Sequence, residues 1–146
     1  MENALVIGLV GLVALVFGFW HKLQQGLIKS AKNHPNFSSD YAQFGQLGKS
    51  GTLVQFSTKY CSICPGTKEM LSEISKDYPG VNFIEIDAEA NLDLTKRLSI
   101  LTTPTVLFID ELGEELARFS GRPNKLKIIQ YINEHFMAQN TAERLV

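Results

Sequence analysis

Cysteine is scarce in this chain: the 146 residues hold two, Cys61 and Cys64, three positions apart. That scarcity excludes the disulfide frameworks that staple small secreted domains, so the pair needs a local explanation. A surplus of one charge is missing too. Fourteen Lys and Arg against fifteen Asp and Glu leave a net charge of -1. With no basic stripe interleaved with aromatics, nucleic acid drops out as a partner. Histidine is sparse, and His21, His34 and His135 share no spacing with the cysteines. There is no internal repeat and no low-complexity tract. The length holds one ordinary domain with an appendage, and 45% hydrophobic with 20% charged residues is a globular composition.

One long hydrophobic run does occur. Ala4 to Trp20 (ALVIGLVGLVALVFGFW) is seventeen residues without a charge, about 25 Å as a helix against a hydrocarbon core of roughly 30 Å. Phe19 and Trp20 at its end suit the interfacial belt. A cleaved signal peptide would carry a basic stretch ahead of the run and a small-x-small site after it, and neither is present. The run is expected to be an uncleaved single-pass transmembrane anchor over residues 1–21, meeting lipid through residues 4–20. Ala14 and Gly18 make a small-xxx-small pair suited to helix pairing. Lys22, Lys29 and Lys32 follow the run and no Lys or Arg precedes it, which places the following domain on the cytoplasmic side. The bias is three lysines, so the extracytoplasmic side stays open.

Residues 22–50 read as a polar linker with Pro35, Ser38 and Ser39. Tyr41, Phe44 and Leu47 recur within it at helical spacing, as in a short amphipathic helix. Thr52–Phe56 (TLVQF) is a β-rich apolar run, followed by the cysteines and a helix through Met70, Leu71 and Ile74 that stops near Tyr78-Pro79-Gly80. Val81–Ile86 is a second strand and Asn91–Leu98 a short helix. Thr105–Ile109 is a third strand, which turns at Asp110–Glu114 into a fourth, Leu116–Phe119. A last helix starts at Asn124 as N-cap and buries Ile128, Ile129, Ile132 and Phe136. The order β-α-β-α-β-β-α predicts an α/β domain over residues 51–137, in which two parallel crossovers and a hairpin build a mixed central sheet flanked by helices. Residues 138–146 read as a tail.

At a strand-to-helix junction, unpaired backbone N–H groups and the positive helix end favour a thiolate at the first cysteine. Cys61 is therefore the candidate nucleophile. One turn on, Cys64 is the candidate resolving thiol, closing the cycle as a Cys61–Cys64 disulfide. Residue identity does not fix the direction of exchange. Two other readings of the pair remain: half of a zinc site, which needs a second chain because the histidines are misplaced, and two inert buried thiols. Tyr60 and Ser62 beside them speak for an exposed turn.

TLVQFSTKYCSICPGTKEML resembles the strand, active-site turn and first long helix of the thioredoxin superfamily, with Phe56 and Tyr60 at its aromatic positions. Thr103-Pro104-Thr105 resembles that family's cis-proline loop, and Gly121 its glycine before the last helix. The likeness runs from about Gly51 to Phe136. It implies a thioredoxin-like fold, a cis bond at Pro104, and substrate contacts at Tyr60, Ser62, Ile63, Thr103 and Pro104. It also implies thiol–disulfide oxidoreductase activity on protein substrates with an unidentified redox partner, and no cofactor or metal beyond the cysteine pair.

The chain departs from the family in four places. Ser62 and Ile63 stand where thioredoxins carry Gly-Pro, positions that tune potential. Pro65 follows Cys64 directly, so the helix is expected to begin at Pro65 with Cys64 as cap. Ser62 either donates to the Cys61 thiolate or caps that turn. Finally, Gln55 replaces a buried aspartate and Glu85 a lysine. Glutamine takes no proton, which makes Glu85 the candidate acceptor of the Cys64 proton, the alternative being a solvated strand position. Two other functions stay open: an extracytoplasmic relative serving cytochrome maturation or disulfide repair, and a non-catalytic binding module with the same fold.

Overall fold

The computed structural model describes residues 2–24, 28–30, 41 and 43–137, with side chains at 8–19, 41 and 43–137. Helix α1 (Glu2–Gln24) contains the apolar run. Its described side chains, residues 8–19, are all exposed, Leu15 at 75% and Phe19 at 68%. Among the described residues no helix is long and apolar enough to cross a membrane. Lys32 and residues 138–146 lie outside the described residues, as do the side chains of Lys22 and Lys29.

The domain is built on β2 (Gly51–Ser57), in which Gly51 to Phe56 are all buried. Side chains alternate across a strand, so β2 feeds two cores. Val54 and Phe56 join Ile84, Ile86, Leu94, Leu98 and Leu107 on one face. Leu53 joins Leu71, Ile74, Val106, Phe108, Ile128 and Phe136 on the other. Helix α2 (Cys64–Asp77) leads to β3 (Val81–Asp87), which pairs parallel to β2. Its 14 residues, about 21 Å, return the chain along a seven-residue strand of about 23 Å.

The next connection differs from the expected second crossover. Helix α3 (Leu92–Arg97) has six residues, about 9 Å, too short to carry the chain back along β3. Strand β4 (Thr105–Ile109) therefore starts at the end where β2 and β3 finish and runs antiparallel to β2, Phe56 facing Thr105. Asp110 turns β4 into β5 (Glu115–Ser120): its carboxylate accepts from the N–H groups of Leu112 and Glu114, and Gly113 takes the positive φ of 86°. The last helix, α4 (Lys125–Tyr131), is capped by Asn124, which accepts from Leu126 and Lys127 as expected. It continues as a wider π turn, Ile132–Met137, that keeps Ile132 and Phe136 buried.

A short strand, β1 (Ile28–Ser30), pairs antiparallel with β5, so among the described residues the sheet has five strands in the order β1-β5-β4-β2-β3. It lies in the stretch read as linker, where three residues carry no periodic signal. Of the stretch around Tyr41, Phe44 and Leu47, Tyr41 is helical and residues 43–50 form a turn and an irregular segment. Those three side chains still pack on the Val54–Phe56 core. At Gly48 a Cβ would run into the carbonyl oxygens of Gly51 and Gly80, so the segment passes against backbone where only glycine fits. Gly48→Ala is expected to lower stability by about 1–3 kcal/mol, read from the urea midpoint at unchanged slope.

Candidate active site

Strand β2 ends at Ser57, and the turn beyond it closes on itself, Cys61 N–H donating to the Thr58 carbonyl at 3.2 Å and Cys64 N–H to that of Cys61 at 3.3 Å. The two sulfurs are bonded, with Cα atoms 5.4 Å apart. Cys64 is 3% exposed, whereas Cys61 is partly open to solvent. Helix α2 begins one residue earlier than expected. Cys64 lies inside its first turn with Ile63 as N-cap, and Pro65 fits because the N–H it lacks has no partner in a first turn. Ser62 is therefore not the cap. The Ile63 side chain makes no capping bond and no acid occupies the first turn, leaving the positive helix end uncompensated beside the disulfide.

The antiparallel course of β4 brings the second motif here. Thr103–Pro104 is a cis peptide, and Pro104 is buried. Its carbonyl accepts from Gly121 N–H at 2.9 Å, and the Thr103 hydroxyl lies 3.3 Å from that of Thr58. Tyr60 is 80% exposed with Lys59 Nζ 4.9 Å from its ring centroid. Ser62 and Ile63 line a cleft of about 330 Å³ with Thr67, Met70, Arg122 and Pro123. A second cleft of about 240 Å³ lies between Thr58, Leu92, Leu101 and Thr103. The structure thus brings Cys61, Cys64, Thr103 and Pro104 to one end of the sheet, with Tyr60, Ser62 and Ile63 around them.

Glu85 stands on β3 in register with Gln55. It accepts from the Ser57 hydroxyl at 2.9 Å and pairs with Lys68 Nζ at 2.7 Å. The β2 side chain that reaches Cys64 is its neighbour Gln55, whose Nε2 donates to the Cys64 carbonyl at 3.1 Å. Arg122, Thr58 and Lys68 are further residues that sequence reasoning missed. Gly121-Arg122-Pro123 after β5 was the available signal for the first. Among the described residues no group of three His, Cys, Asp or Glu is arranged to hold a metal ion.

The thioredoxin family model matches residues 30–134. A thioredoxin from Ophiophagus hannah is 30% identical over 94 residues, covering 64% of this chain and 88% of the relative. Thioredoxin H5 from Oryza sativa subsp. japonica is 25% identical over 95 residues, covering 65% and 67%. Among solved structures, Fasciola hepatica thioredoxin superposes with a TM-score of 0.56 at 26% identity, over 68% of this chain and 90% of its own.

Proposed function

The chain belongs to the thioredoxin family, whose members exchange disulfides with proteins through a redox-active cysteine pair without a cofactor, and on that premise we propose how this member works and where. It is a thiol–disulfide oxidoreductase with Cys61 and Cys64 joined in its disulfide. In the proposed cycle the Cys61 thiolate attacks a substrate disulfide, and Cys64 then attacks Cys61 Sγ to release the substrate thiol. One observation carries the assignment: the bonded pair sits with Cys61 partly exposed and Cys64 buried at the uncapped start of α2. Tyr60, Ser62, Ile63, Thr103 and Pro104 surround it and would form the substrate contacts, offering backbone and apolar surface.

Tethering through residues 4–20 is supported by the uncharged run and by the exposure of the apolar side chains among residues 8–19. The lysines after the run favour a cytoplasmic domain, where dithiols are kept reduced, so reduction of substrates is the favoured direction. Glu85 is the proposed outlet for the Cys64 proton because it stands beside Gln55 in register, next to the side chain that touches Cys64.

The Cys64→Ser variant should accumulate a mixed disulfide through Cys61, seen as a reductant-sensitive band shift on non-reducing gels and lost in the Cys61→Ser, Cys64→Ser double variant. Full function of that double variant in the cell would instead select the binding-module reading. Membrane fractions washed at alkaline pH should retain the full chain and release one lacking residues 1–21, and reporters at the C-terminus should report the cytoplasmic side. Glu85→Gln should shift the pH profile of mixed-disulfide resolution, and an unmoved profile removes Glu85 from the mechanism.

A further inference from the structure

Of the β2 side chains on the α2 face, Gln55 and Ser57 are polar, and Gln55 is the one fully buried. Gln55 is 0% exposed and stands in register between Glu85 of β3 and Val106 of β4. What it touches decides which way its amide points. The Cys64 carbonyl only accepts, so the atom 3.1 Å from it is Nε2. Oε1 is then turned into packed interior, with less than 1 Å² accessible and no donor. Nearby donors are committed elsewhere: Cys64 N–H to the Cys61 carbonyl, the Thr67 hydroxyl to the Ile63 carbonyl, and the Ser57 hydroxyl to Glu85. A buried acceptor without a donor is costly, and natural interiors seldom keep one without a use. Opening the disulfide creates one new donor here, the Cys64 thiol, on the residue whose carbonyl already holds the other end of the same amide.

We propose that Gln55 is a positioning residue for the exchange reaction: in the dithiol its Oε1 accepts a hydrogen bond from Cys64 Sγ–H while its Nε2 keeps the Cys64 carbonyl. This rests on the exchange function above and adds to it a neutral control of which sulfur is ionised. The amide favours the protonated form of Cys64, so the thiolate falls to Cys61 at the helix end. In the forward cycle the Cys61 thiolate bonds to one substrate sulfur and the other leaves as a thiolate. Cys64 Sγ–H then gives its proton to solvent or a neighbouring base, and its thiolate bonds to Cys61 Sγ while the second substrate thiolate leaves. The protein dithiol is oxidised, the substrate disulfide is reduced, and Gln55 neither gains nor loses a proton. Because the dithiol holds a hydrogen bond that the disulfide lacks, Gln55 makes the protein a weaker reductant than an apolar residue at this position would.

The test equilibrates the full chain with mixtures of reduced and oxidised glutathione and reads the dithiol fraction by alkylation and intact mass. Gln55→Leu should move the equilibrium about tenfold toward the disulfide, about 30 mV more reducing. Gln55→Glu should match the parent at low pH, where its carboxylic acid offers the same donor and acceptor, and depart from it as pH rises. The parent and Gln55→Leu should run parallel in pH below the range where the thiols ionise and diverge within it. Should Gln55→Leu fail to fold, Gln55→Met carries the same expectation. An equilibrium within twofold of the parent, or one moved toward the dithiol, overturns the proposal while leaving exchange intact. A parent chain that does not equilibrate with glutathione removes the exchange function and this proposal together.

Discussion

Strand β2 is sealed on both faces, and the site hangs from that constraint. With Gly51 to Phe56 buried and both edges hydrogen-bonded, by β3 on one side and β4 on the other, the chain has no freedom until it emerges at Ser57. The cysteine turn therefore starts from a fixed point and direction. The apolar groups that hold β2 are among the largest stabilising contributions a domain of this size has. The disulfide thus inherits its position from the core.

Within that apolar setting the polar groups near the sulfurs are few and specific. A carboxylate in place of Gln55 would have to keep its charge without solvent, at a cost that normally drives it to hold a proton. The neutral amide avoids that cost, and its bond to the Cys64 carbonyl ties the central strand to the first turn of α2. The charge of this region sits further out, where Glu85 meets Lys68 and Ser57 in partial contact with water. Buried neutral polarity at Cys64 is thus kept apart from screened charge at the rim.

Much of the domain was legible in local pattern. The strand–CxxC–helix order, the Asp110–Gly113 turn and the Asn124 cap rest on interactions spanning a few residues, which short-range rules describe. What local pattern left illegible has a common cause. Tyr41 is helical while Phe44 and Leu47 lie on the turn and irregular segment after it, and all three reach the same core. Strand β1 owes its existence to the free edge of β5 and has no pattern of its own. Glu85 was weighed by residue type, yet its partners come from β2 and α2 and were invisible without the register.

By itself the sequence determined which chemistry was available: two cysteines one turn apart at a strand-to-helix junction, a Thr-Pro before another strand, and no third metal ligand at fitting distance. Whether those parts would meet depended on the direction of β4. Two parallel crossovers would have put Pro104 at the opposite end of the sheet from Cys61. Helix α3, at six residues, is too short to return the chain, so β4 runs antiparallel and Thr105 falls opposite Phe56. Tertiary structure also chose Gln55 as the partner of Cys64, since that contact joins residues through the packing of a helix on a sheet, which local spacing does not encode.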